Sequence, residues 1–121
     1  MIPTIQILKN VADLEFHSIV KTSYIINYKL RIILIDDSYI DVNVSSKISG
    51  KFGFHWETRN AMDEIYRYDN FPDINWKEID SFPYHFHNGS QSNVISSPFP
   101  KEIIPAFNSF MNFVKEKIEV F

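Results

Sequence analysis

KLRIILI-DDS-YIDVNV, residues 29–44, has two apolar runs on either side of a short cluster of Asp and Ser. This pattern predicts a β-hairpin, because both runs are rich in β-branched residues and the cluster favours a turn. In the second run Ile40, Val42 and Val44 alternate with polar residues, and Leu30 begins the matching apolar set in the first run. Alternation with a period of two places the apolar residues on one face of a strand. The hairpin therefore predicts a sheet with one buried face and one open face.

Further strands are predicted on both sides of this hairpin. They span residues 19–28, 51–57, 65–70 and 82–87, and Pro83 indicates an irregular start or a sheet edge for the last of them. Phe52, Phe54 and Trp56 extend the apolar face. The predicted connections are a loop at 45–50, a polar turn at 58–64, a loop at 70–81 and a polar connector at 88–93.

Helices are predicted at both ends of the chain. The first spans residues 5–14, with Thr4 as its N-cap, and the second begins near Pro105, which suits a first helical turn. The apolar face of the second helix comprises Phe107, Phe110, Met111, Val114 and Ile118. We therefore expect an α+β fold, in which a five- to six-stranded, mostly antiparallel sheet has the N- and C-terminal helices packed on one face. Residues 1–121 are expected to form a single domain.

Composition excludes several classes of protein. The chain has no cysteine, so it offers neither a disulfide framework nor a thiolate nucleophile. A net charge of −3 argues against a protein that relies on non-specific attraction to nucleic acid. No apolar run reaches the roughly 20 residues of a membrane helix, and the N-terminus lacks the features of a signal peptide. These observations predict a cytoplasmic protein that does not contact the membrane.

Ionisable residues at strand spacing mark a candidate site on the open face. Arg67 and Asp69 are two residues apart, as are His85 and His87, so each pair is expected to point to one side of its strand. The predicted open face carries Arg31, Asp41, Asn43, His55, Glu57, Arg67, Asp69, His85 and His87. Three of the chain's four histidines belong to this set, so a cation, carboxylates and imidazoles could converge there.

Three interpretations of this set remain open. Two imidazoles could act as base and acid in RNA cleavage without a metal, with Arg67 stabilising the developing charge and Asp69 orienting an imidazole. His85 and His87 could instead share a metal ion completed by a carboxylate or a third imidazole. In a purely structural network, Asp69 would pair with Arg67 and the histidines would bond to the backbone. Candidates for substrate contact are Arg31, His55, Glu57 and Tyr68, the last by stacking on bases.

Two motifs, Tyr66-Arg67-Tyr68-Asp69-Asn70 and Phe82-Pro83-Tyr84-His85-Phe86-His87, resemble those of the TumE-like family of prokaryotic toxin–antitoxin toxins. The resemblance implies a small toxin that is inhibited by a helix-turn-helix-type antitoxin encoded beside it. It also implies endoribonuclease activity without a cofactor, with Arg67, Asp69, His85 and His87 as catalytic residues and RNA as the substrate. The competing hypothesis is a non-enzymatic interaction module that binds a partner protein.

Overall fold

A computed structural model describes residues 3–45, 50–58, 64–70, 83–90, 92–96 and 98–119. The elements are, in chain order, helix α1 (Thr4–Glu15), strands β1 (Val20–Ile26), β2 (Lys29–Leu34), β3 (Tyr39–Val44), β4 (Phe52–Glu57), β5 (Ile65–Asp69), β6 (His85–Gly89) and β7 (Val94–Ser96), and helix α2 (Ile103–Glu119). The strands form one sheet in the order β1-β2-β3-β4-β5-β6-β7, and each pairs antiparallel with its neighbour in the chain.

The strand count differs from the prediction of five or six. Among the described residues the sheet has seven strands, because Val94–Ser96 pairs with β6 through partners that include Phe86 and Ile95. Three residues are too few to show a periodic pattern, so no strand was predicted there. The strand expected at residues 82–87 begins at His85 instead and continues to Gly89. In the predicted connections, residues 46–49, 59–63, 71–81 and 91 lie outside the described ranges.

Both helices pack on the same face of the sheet, as predicted. The core combines residues of α1, of α2 and of the strands: Leu8, Ala12, Leu30, Ile32, Leu34, Ile40, Val42, Phe52, Phe54, Trp56, Tyr66, Tyr68, Phe86, Ala106, Phe107, Phe110, Met111 and Val114. Phe54 shows how the layers meet, since its ring centroid lies 5.5 Å from that of Phe107 and 5.4 Å from that of Phe110. Burial of each such ring contributes about 1.5–3 kcal/mol. Val44, expected in the core, is half-buried at its edge.

The helix starts differ in detail from the expected ones. Pro3 is the N-cap of α1 and no side chain caps it, so the predicted capping role of Thr4 is wrong. The Pro3 carbonyl instead accepts hydrogen bonds from the backbone N–H groups of Gln6 and Ile7. Helix α2 begins at Ile103, and Pro105 lies in its first turn, where a missing N–H costs little. Within the described ranges, no helix is long and apolar enough to cross a membrane.

Two tight turns depend on left-handed residues. The β1–β2 connection places Asn27 and Tyr28 at φ 50° and 66°, the conformation of a type I′ hairpin turn. Asp37, at φ 69°, is the left-handed residue of the turn between β2 and β3. The adjacent Ser38 is buried, and its hydroxyl oxygen accepts a hydrogen bond from Trp56 Nε1 at 2.9 Å. This bond fixes the tip of the hairpin to β4.

Candidate functional site

The sheet register aligns five of the predicted open-face residues in one row. Across β2, β3, β4, β5 and β6, the paired positions are Arg31, Asp41, His55, Arg67 and His87. In the neighbouring row Asp69 pairs with His85. These residues alternate with the core residues and therefore lie on the face away from the helices. The two motifs are thus adjacent strands, and their polar residues face the same side.

Four of these side chains form a cluster at β5 and β6. Asp69 Oδ1 lies 3.1 Å from His85 Nε2, and Asp69 Oδ2 lies 2.9 Å from Arg67 Nε. Arg67 Nη2 lies 3.3 Å from His87 Nε2. The two imidazole rings meet edge to face, with 5.2 Å between their centroids. We call these four residues the His–Asp–Arg cluster.

Hydrogen-bond donors and acceptors set the protons of this cluster. A guanidinium can only donate, so His87 Nε2 accepts from Arg67 and its proton lies on Nδ1. His85 Nδ1 lies 3.1 Å from the Pro83 carbonyl oxygen, which can only accept, so this nitrogen is the donor. The other nitrogen of His85 faces the Asp69 carboxylate. Two lone pairs cannot favourably face each other, so the Asp69–His85 contact holds a proton.

The face of the sheet that was predicted to be open is buried from solvent at most of this cluster. The exposed fractions of His85, His87 and Asp69 are 2%, 4% and 5%, whereas the side chain of Arg67 is 34% exposed. Each of the three buried residues contacts other members of the cluster, which covers part of its surface. The prediction of an open sheet face is therefore wrong at β5 and β6, and Arg67 is the member of the cluster that solvent reaches.

Tyr68 does not lie on the site face. It is fully buried in the core, its ring packs 5.1 Å from that of Phe99, and its hydroxyl donates a hydrogen bond to the Pro100 carbonyl oxygen at 3.0 Å. A buried ring cannot stack on a base, so the expected substrate contact by Tyr68 is wrong. The cause is the alternation of β5, which sends Tyr68 to the side opposite Arg67 and Asp69.

His55 and Glu57 lie on β4, beside the cluster. His55 pairs with Arg67 in the sheet, and its Nε2 lies 3.9 Å from Glu57 Oε1. Both side chains are partly exposed on the face of the cluster. The sheet therefore places His55 beside Arg67, and Glu57 lies two residues further along β4, opposite Ile65.

Arg31 is in the same row of the sheet but is paired with Asp41 and not with the cluster. Its guanidinium makes two hydrogen bonds of 2.8 Å to Asp41 and lies 4.3 Å from the centre of the Tyr39 ring. The hydrogen bonds to the Asp41 carboxylate raise the pKa of Arg31 above its ordinary value. Two strands, β3 and β4, lie between Arg31 and Arg67, so three strand spacings of the usual size separate them by roughly 14 Å. Arg31 therefore does not join the cluster.

Asn70 has a structural role that the sequence analysis did not identify. Its Oδ1 accepts a hydrogen bond from the Phe52 backbone N–H at 2.9 Å, and its Nδ2 donates to the Gly50 carbonyl oxygen at 2.6 Å. These bonds fix the end of β5 to the start of β4, directly after Asp69. The only sequence signal was the position of Asn70 at the end of a predicted strand.

Three residues of the cluster could also hold a metal ion. Asp69, His85 and His87 are buried, and each offers one ligand atom such that the three atoms lie within 4.8 Å of one another. Carboxylate and imidazole donors are common ligands of zinc.

Fold and site together define a small α+β protein with a histidine-centred polar cluster on an antiparallel sheet. The family model described as Toxin TumE matches residues 6–118, nearly the whole chain, and the chain belongs to this toxin family. Its membership implies an antitoxin partner. No curated protein and no solved structure matches the chain.

Proposed function

We propose that this protein is the toxin of a toxin–antitoxin pair and that it cleaves RNA without a metal ion. The observation that carries the proposal is the His–Asp–Arg cluster, in which one imidazole holds a proton against Asp69 and the other presents an acceptor nitrogen to Arg67. Cleavage by an RNA 2′-hydroxyl requires a proton donor, a proton acceptor and a cation near the phosphate.

In the proposed reaction His87 is the base and His85 the acid. His87 Nε2 takes the proton of the 2′-hydroxyl as its oxygen attacks phosphorus. His85 donates the proton held against Asp69 to the 5′-oxygen as the bond between that oxygen and phosphorus breaks. The products carry a 2′,3′-cyclic phosphate and a 5′-hydroxyl. Arg67 stabilises the additional negative charge on the phosphoryl oxygens, a role in which a guanidinium is effective.

Arg67 also determines how substrate approaches. Since a third of the Arg67 side chain is exposed and the imidazoles are almost fully buried, Arg67 meets an RNA phosphate first. Turning Arg67 toward the phosphate breaks its contact with His87 Nε2 and leaves that nitrogen available as a base. Phosphate binding would in this way prepare the base.

The second candidate function is a non-enzymatic interaction module. It is favoured by the burial of the cluster, which a structural network would also show. It is favoured as well by exposed apolar side chains near the β1 edge of the sheet, namely Tyr24, Ile26 and Tyr28. In that case toxicity would come from binding a host protein.

The partner that we propose is a helix-turn-helix-type antitoxin encoded next to the toxin, and the proposed location is the cytoplasm. A DNA-binding antitoxin carries a basic face, and the net charge of −3 on this chain suits such a partner. Inspection of the neighbouring gene tests this part of the proposal, and a neighbour that encodes no DNA-binding protein would contradict it.

The test of the catalytic proposal is incubation of the purified, untagged protein with single-stranded model RNA, with and without chelator. We expect cleavage that chelator does not inhibit, product ends with a 2′,3′-cyclic phosphate, and loss of at least 100-fold in rate in His85→Ala and His87→Ala. The matched control is His17→Ala, which removes an exposed histidine outside the cluster. Absence of cleavage, together with toxicity that survives both cluster substitutions, would leave the interaction module.

A further inference from the structure

Two acceptor atoms face each other within the His–Asp–Arg cluster. The Pro83 carbonyl binds the Nδ1–H of His85, which leaves the other ring nitrogen directed at Asp69 Oδ1, 3.1 Å away. A cation must lie between these atoms, and a proton is the smallest one. A metal ion can use the same two lone pairs. An imidazole whose second nitrogen donates to a backbone carbonyl is the usual arrangement of a histidine metal ligand.

The distances suit a small tetrahedral ion. Zinc binds nitrogen and oxygen donors at about 2.0–2.2 Å, so neighbouring donors of a tetrahedral site are roughly 3.3 Å apart. The separation between Asp69 and His85 is already within a few tenths of an ångström of this value. His87 provides the third donor, and the three ligand atoms lie within 4.8 Å of one another. A rotation of the His87 ring that brings its nitrogen closer to the other two donors would complete the set.

Arg67 opposes binding of a cation but does not block it. Its guanidinium contacts Asp69 Oδ2 and leaves Oδ1 directed at His85. The Nε–H of Arg67 has no hydrogen-bond acceptor of good geometry among the described residues, so its contact with Asp69 is an ion pair. Because a third of the side chain is exposed, Arg67 can turn into solvent when an ion enters. Its positive charge nevertheless weakens the site, so binding should be reversible.

We propose that Asp69, His85 and His87 form a binding site for a divalent late transition-metal ion, with Zn²⁺ as the probe. The ion occupies the nitrogen lone pairs that proton transfer needs, and it therefore inhibits the ribonuclease instead of assisting it. The inhibition rests on the proposed function, whereas the binding does not.

Binding is measured on the untagged protein alone, without RNA. Titration with Zn²⁺ in a calorimeter gives the stoichiometry, and Co²⁺ serves as a spectroscopic substitute. We expect one ion per chain and an intense visible absorption of Co²⁺, which indicates a tetrahedral site. His87→Gln and Asp69→Asn should weaken binding at least tenfold, whereas His17→Ala should leave it unchanged.

Arg67→Met provides the sharpest test. A structural network would lose order on this substitution, but a metal site would lose a repelling charge, so Zn²⁺ should bind at least fivefold more tightly. Circular dichroism is used to check that each variant is folded. The Arg67→Met measurement tests the proposal even if a histidine variant does not fold. Weak Zn²⁺ binding that Asp69→Asn and His87→Gln leave unchanged would overturn the proposal, as would weaker binding in Arg67→Met.

These measurements separate this proposal from the catalytic one. Stoichiometric Zn²⁺ binding without any RNA cleavage would support the metal site and contradict the ribonuclease. Chelator-insensitive cleavage that Zn²⁺ does not inhibit, in a protein that binds no Zn²⁺, would support the ribonuclease and overturn the metal site.

Discussion

Replacing Asp69 by Asn removes the negative charge that His85 faces and keeps the shape of the side chain. The two groups are 3.1 Å apart and nearly inaccessible to solvent. At an effective dielectric constant of about 20, opposite unit charges at that distance attract by about 5 kcal/mol. Desolvation offsets much of that attraction while the pair is intact, but removing one partner leaves a buried charge at a cost of about 3–5 kcal/mol. We expect Asp69→Asn to destabilise the protein by about that amount.

A double-mutant cycle isolates the pair. His85→Gln removes the proton-bearing partner, and the double variant Asp69→Asn/His85→Gln contains no charge at the contact. We expect the double variant to be more stable than the sum of the single effects implies, with a coupling free energy of about 2–3 kcal/mol. The measurement is urea denaturation of all four proteins, followed by circular dichroism and extrapolated linearly to water.

The surface pair of Lys21 and Asp37 is the matched control. Its N–O distance is 2.8 Å, close to that of the buried pair, but its side chains are 58% and 78% exposed. Solvent screening limits the contribution of such an exposed pair to about 1 kcal/mol or less. The coupling free energy between Lys21 and Asp37 should therefore be small. Equal, small couplings in both cycles would refute the inference that Asp69 and His85 hold a proton between them as an ion pair.

Two further predictions concern residues outside the proton pair. Asn70→Ala leaves the buried N–H of Phe52 without its acceptor, so it should cost about 1–3 kcal/mol of stability, measured by urea denaturation; an unchanged midpoint would contradict the structural role. Burial raises the pKa of Asp13, but hydrogen bonds from Lys9 and Ser23 outweigh it and hold the pKa below its ordinary value of 3.8. The stabilisation is present above that value and lost as the pH falls through the lowered pKa, so Asp13→Asn should lose less stability than the parent between about pH 5 and about pH 2. An identical acid dependence of the two urea midpoints would contradict this.

The sequence predicted the strands that alternate and not the one that is too short to do so. Leu30, Ile40 and Val42 repeat with a period of two and are buried as expected. Val94–Ser96 has no such repeat, and its pairing with β6 depends on a neighbouring strand instead of on its own pattern. The helix positions followed from the apolar faces. The N-terminal capping of α1 could not be predicted in this way, because the backbone carbonyl of Pro3 accepts the hydrogen bonds there and no side chain takes part.

For the candidate site, strand spacing predicted which residues share a face but not how they meet. Arg67 and His87 are a registered pair, and register depends on the connection between β5 and β6, which the sequence alone does not fix. The burial of His85 could not be predicted from the sequence either, because alternation assigns a residue to one side of the sheet but does not say how deeply its side chain is buried. The same alternation should have excluded Tyr68 from substrate contact, since it places this residue opposite Arg67.

The strict neighbour order of the seven strands has a consequence for biosynthesis. Each strand pairs with the one made just before it, so the sheet can grow by one hairpin at a time as the chain leaves the ribosome, and such local pairing favours fast folding. Asp69 and His85, however, belong to the fifth and sixth strands, and the part of the apolar face that packs against α2 stays uncovered until this helix, the last of the described elements, is complete. A nascent chain would therefore have no cluster until most of it is synthesised. Truncation before α2 should leave an aggregation-prone sheet instead of a shortened active toxin.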